Sequence, residues 1–139
     1  MEESRSEYFK AYAAIMKITL RDGDASEEEK DFLQSFGKKL GVSSSEYFEL
    51  VDTYMEYEIT APYTYNERLE SLYKLTEIVY NDDGLNKTLK EKWLKRMAIA
   101  IGFDPSNIKY VVAKSFDLFN DTKNLDLKTY KESIKNIMH

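Results

Sequence analysis

Asp22-Gly23 and Asp83-Gly84 stand 61 residues apart, and the same shift lays Gly41 on Gly102, so the chain reads Asp-Gly, seventeen residues, Gly, twice over. Each Asp-Gly corner lies between two helical hydrophobic patterns, where a glycine ends one helix and a capping residue opens the next. A period this long exceeds that of the common solenoid repeats, and it occurs only twice. The architecture expected is all-α: two pseudo-twofold-related three-helix repeats closing one core, followed by a C-terminal helix, about seven helices in a single domain over residues 1–139.

Hydrophobic spacing places the helices. From about Glu3 to Leu20, Tyr8, Ala11, Tyr12, Ile15, Ile18 and Thr19 share one face. Ser26-x-x-Glu29 is a capping box for a second helix, with Phe32, Leu33, Phe36 and Leu40 as its buried stripe and Gly41 as a left-handed terminator. Ser43-x-x-Glu46 opens a third, whose stripe is Tyr47, Phe48, Val51, Tyr54 and Met55. Ala61-Pro62 then breaks the pattern, because proline disfavours helix in the residue before it. Thr64-x-x-Glu67 starts the fourth helix, and the fifth runs from about Lys87 with Leu89, Trp93, Met97 and Ile101 at four-residue spacing. Asp104 and Pro105 open the sixth, with Ile108, Val111, Val112, Ser115, Phe116 and Phe119 on its stripe. Repeat one thus spans about residues 3–60 and repeat two about 64–120. The seventh pattern, about 126–138, has no counterpart in the first half and is expected to pack across the repeat interface.

Residue types exclude much chemistry. There is no cysteine, and the one histidine is His139. Thiolate and imidazole catalysis, disulfides and Cys/His metal centres are therefore out of reach. The glycines are scattered singly, so no phosphate-cradling loop exists. No apolar run approaches the roughly 20 residues of a membrane span, and Met1 to Arg5 lacks the order of a signal peptide. A cytoplasmic protein without a transmembrane segment is expected. Residues 1–61 hold 14 acids and 7 bases (net −7), whereas residues 62–139 hold 11 acids and 13 bases (net +2). A basic excess that small does not point to nucleic acid.

A helix ending in Asp-Gly, a Ser-x-x-Glu helix start, an apolar helix and a terminal glycine, all duplicated between Ala11 and Phe119, resembles the TerB-like domains of tellurite-resistance proteins and of membrane-anchored DnaJ-type proteins. The resemblance implies a compact seven-helix cytoplasmic module associated with stress response and membrane-linked complexes, working through a protein partner and without enzymatic activity. It also implies metal-binding acids, which carry over to Asp22 and Glu29 in the first repeat and to Asp83 in the second. The second glutamate does not carry over: Lys90 stands in its place, with Glu91 adjacent.

The residues support a turn-and-cap role for Asp22 and Asp83 beside their glycines, and a capping role for Glu29. The runner-up is an acidic domain that binds a divalent cation at the Asp-Gly corners. Counted from Asp22, the sixth residue is Glu27 and the twelfth Leu33, so the EF-hand pattern fails. Carboxylate-only ligands would favour calcium, magnesium or manganese, and no other cofactor is expected. Tyr54, Tyr57, Tyr63 and Tyr65 cluster in the sequence around the junction, and Tyr63 and Tyr65 are the candidate partner-binding residues. An enzymatic reading would need an enclosed polar pocket.

Overall fold

The computed structural model describes residues 6–138 apart from Asp22, Asp24 and Pro62, with the side chains of residues 136–138 also outside the description. It is all-α among those residues. The seven helices are α1 (Phe9–Leu20), α2 (Glu27–Lys39), α3 (Ser44–Thr53), α4 (Tyr65–Tyr80), α5 (Lys87–Ala100), α6 (Ile108–Asp121) and α7 (Leu127–Met138). Short 3-10 turns at Tyr54–Glu56 and Pro105–Asn107 follow α3 and precede α6. The chain divides into two compact units at the Ala61/Pro62 junction.

In the first unit α1 packs on α2, α3 and the 3-10 turn that follows α3. Its one-sided stripe is in fact wider: Ala11 through Met16 are all fully buried. The reason is local, since no charge separates Lys10 from Lys17 and the residues between them are small or apolar on every side. The helix starts at Phe9 rather than near Glu3, and Glu3 to Arg5 lie outside the described residues. Ser6 holds the approach, its hydroxyl donating to the Leu40 carbonyl and accepting from the Tyr8 amide.

The second unit repeats the helix order and adds one. α4, α5 and α6 pack mutually, and α7 lies on α4 and α6. Tyr130 and Ile134 of α7 are fully buried, and the Tyr130 hydroxyl meets that of Ser115 at 2.7 Å, while Ser115 also donates to the Val111 carbonyl at 2.8 Å. Around this pair Tyr73, Phe119 and Tyr130 form an aromatic cluster with centroid spacings of 5.3–6.1 Å.

Both copies of the second repeat helix end by the same device. Gly41 and Gly102 have φ of 84° and 102°, and the apolar residue after each, Val42 or Phe103, is buried and donates its amide to the carbonyl five residues back. The pattern is a Schellman motif, which satisfies carbonyls the helix leaves open. All three Ser/Thr-x-x-Glu capping boxes form as the spacing requires.

The copies differ at Gly37, whose counterpart is Ala98. A Cβ on Gly37 would stand 2.8 Å from the Tyr12 ring, and Tyr12 is fully buried with its hydroxyl donating to the Leu33 carbonyl. In the second copy the equivalent Tyr73 is only half-buried and its hydroxyl goes to the Leu125 carbonyl at 2.7 Å. Gly37→Ala gains about 0.5–1 kcal/mol of helix propensity but overpacks a pinned ring, at a cost of about 1–3 kcal/mol. We expect a net loss of about 1 kcal/mol, read as a lower urea midpoint. Ala98→Gly should lose helix propensity together with the burial of one methyl group, since Ala98 is fully buried.

Candidate functional site

α3 carries more apolar surface than its own unit covers. Leu50 faces inward and is fully buried, whereas Phe48, Val51 and Met55 are 60 %, 37 % and 60 % exposed. Their spacing of three and four residues puts them on one side of α3 and the turn that continues it. Three of the five residues expected to line the core, Phe48, Val51 and Met55, therefore form an outward stripe, and Tyr47 and Tyr54 are half-buried. Periodicity located the stripe correctly but assigned it to the interior.

The second unit shows what differs. Shifted by 61 residues, Val51 falls on Val112, which is 2 % exposed, and Tyr54 falls on Ser115, which α7 engages through Tyr130. The first repeat has no helix in the place of α7.

Acids frame the stripe. Residues 43–60 contain Glu46, Glu49, Asp52, Glu56 and Glu58 and no lysine or arginine. Glu46 is committed to the Ser43 amide at 2.9 Å in its capping box, and the other four are exposed. On the opposite side, Tyr47 packs edge-on against Phe48 at 5.2 Å. Burial first, then the charges of Asp31 and Glu27 on α2, push the Tyr47 hydroxyl above its ordinary range. Lys17 fixes the base of the site, its ammonium donating to the Met55 and Tyr57 carbonyls at 3.1 and 2.6 Å, and Tyr57 meets Phe9 edge-on at 6.0 Å. This lysine cap across the unit escaped the sequence, because it joins positions about 40 residues apart.

The acids carried over from the resemblance are distributed differently. Asp22 lies outside the described residues. Glu29 accepts from the Ser26 amide at 3.4 Å, and Asp83 is exposed. At the second corner Asp82, not Asp83, accepts from the Gly84 amide at 2.8 Å. Gly23 is left-handed (φ 74°) and Gly84 is not, so the two corners differ in backbone. Lys90, standing where an acid would be needed, donates to the Tyr80 carbonyl at 2.7 Å and closes the end of α4. Among the described residues no group of three or more acids or histidines is placed to hold a metal ion. Tyr63 is half-buried and Tyr65, at the start of α4, is 37 % exposed.

A half-open groove of about 470 Å³ runs between the start of α5 and α6 in the second unit, lined by Tyr80, Lys87, Lys90, Glu91, Phe116 and Asp117. Its two lysines face two carboxylates, so it carries no strong field of one sign. Among the described residues no helix is long and apolar enough to cross a membrane. No protein-family model matches the chain, and no curated protein or solved structure matches it either. Among the described residues the fold and the stripe define a small all-α protein with an exposed apolar face on α3.

The two sides of α3 give opposite mutational expectations. Leu50→Ala should cost about 2–5 kcal/mol, the usual loss on emptying a core leucine site. Met55→Ala should change stability by no more than about 0.5 kcal/mol, as for an ordinary surface position. Thermal and urea unfolding of the pair checks the assignment, and equal losses would return Met55 to the core.

Proposed function

We propose that this chain is a non-catalytic, TerB-like helical module that works by holding a protein partner, in a cytoplasmic and stress-related setting. The observation that carries the reading is the exposed stripe of Phe48, Val51 and Met55. Contiguous apolar side chains on a folded surface lose free energy to water until something covers them, and in soluble proteins such surfaces serve recognition. Anchors at i, i+3 and i+7 are how one helix presents itself to another.

Several further features support the reading. The doubled Asp-Gly and Gly register of the TerB resemblance corresponds to two runs of helices in the same order, with matching Schellman ends. The residue types leave little for catalysis, since the chain has no cysteine and a single histidine at position 139. The acidic surface of residues 43–60 argues against a nucleic-acid partner, whose phosphates it would repel.

Affinity capture from the native cell tests this, with wild type beside Phe48→Ser/Met55→Ser and Tyr63→Ala/Tyr65→Ala baits. The expected result is at least one protein retained by wild type and lost from the first double variant, with helicity and melting of that variant unchanged. Identical captured sets from wild type and both variants would overturn the proposal.

A further inference from the structure

The chemistry of the stripe's occupant can be read from the spacing of the stripe together with the charges around α3. α7 covers a neighbouring face of α6, where Tyr130 bonds Ser115 and meets Phe119 edge-on, whereas the counterparts of Phe48 and Met55 are the exposed Lys109 and the groove-lining Phe116. α7 is amphipathic, with Leu127, Tyr130 and Ile134 on one side, and between Leu127 and Lys135 it carries three lysines against one glutamate. A helix is the shape that packs on a stripe of anchors at i, i+3 and i+7, the spacing of Phe48, Val51 and Met55. Residues 43–60 carry acids alone, with Glu49, Asp52, Glu56 and Glu58 exposed and Asp31 of α2 near Tyr47, while the nearby cations Lys17 and Lys30 are engaged by the Met55 and Tyr57 carbonyls and by Glu27. A second copy docking by the same face would oppose acid to acid, and an anionic lipid surface would be repelled likewise. A cationic rim is the complement.

We infer that the open face of α3 receives a lysine- or arginine-rich amphipathic helix from a partner protein. The inference rests on the partner-holding reading above and adds the partner's shape and charge. Phe48, Val51 and Met55 anchor the apolar side of that helix. Asp52 and Glu49 beside the stripe, with Asp31 beyond Tyr47, meet its basic residues. The charges select the partner and speed its arrival, while the stripe holds it.

Three synthetic helical peptides of roughly 15 residues test this by fluorescence anisotropy on the full chain. They share one leucine stripe and differ only in whether the polar positions are lysine, glutamine or glutamate. The lysine peptide should bind at least about tenfold more tightly than the glutamine peptide at low salt, with the margin shrinking as salt screens the charges. Phe48→Ser/Met55→Ser should abolish its binding, and Glu49→Lys/Asp52→Lys should shift preference toward the glutamate peptide, both with circular dichroism unchanged. Equal, stripe-dependent binding of the lysine and glutamine peptides would overturn the cationic partner and leave the partner-holding reading intact. The inference would also fall if lysine-peptide binding were indifferent to Phe48→Ser/Met55→Ser. A stripe-dependent dimer in sedimentation would do the same, as would stripe-dependent binding to phosphatidylserine vesicles in preference to the lysine peptide. If no peptide binds the inference fails, and if capture is also indifferent to the stripe the reading beneath it fails too.

Discussion

The hydroxyl pair of Tyr130 and Ser115 is the contact on which the second unit closes. Two buried hydroxyls satisfy each other there, and Ser115 passes its remaining bonding capacity to the Val111 carbonyl, so α7 seats its tyrosine without leaving a polar atom stranded. Burial holds the Tyr130 phenol above its ordinary range, outweighing the lowering influence of the Ser115 and Thr76 hydroxyls, so it stays protonated and able to donate to Ser115. Val112 is buried, while Val51 at the matching position of the first unit is 37 % exposed.

Duplication preserved what is local and let the rest diverge. The Schellman ends at Gly41 and Gly102 follow the same hydrogen-bond pattern, because six consecutive residues contain everything the motif needs. Capping boxes at Ser26, Ser43 and Thr64 are equally self-contained. Divergence begins where a side chain must reach another element. Tyr12 presses on Gly37 and bonds within its own unit's second helix, whereas Tyr73 opposite Ala98 swings to the segment before α7. The corners diverge too: one uses a left-handed glycine, and the other an aspartate that accepts from the glycine amide.

The same division explains how much could be read beforehand. Helix number, order and most boundaries were legible in caps, glycines and hydrophobic spacing, all of which act over a few residues. The face of α3 was not, since a three-and-four spacing reveals that a stripe exists and says nothing of what covers it. Two features of the sequence carried the hint: residues 43–60 hold acids and no bases, and the first repeat has no partner for the Leu127–Met138 pattern. Lys17 and Lys90 were illegible for another reason. Each closes a backbone end formed by distant or turn-separated carbonyls, and lysine in a sequence looks the same whether it caps or floats in solvent. Asp82 rather than Asp83 at the second corner depended on backbone geometry that Asp-Asp-Gly alone leaves open.

That the first unit presents an uncovered apolar face is the claim on which the functional account stands, and methionine methyl resonances report it directly. With ¹³C-methyl methionine and a soluble paramagnetic cosolute, Met55 should broaden strongly while Met16 and Met97, both fully buried, stay sharp. A Met55 signal as protected as those two in the isolated chain would contradict the account, because the stripe would then already be covered.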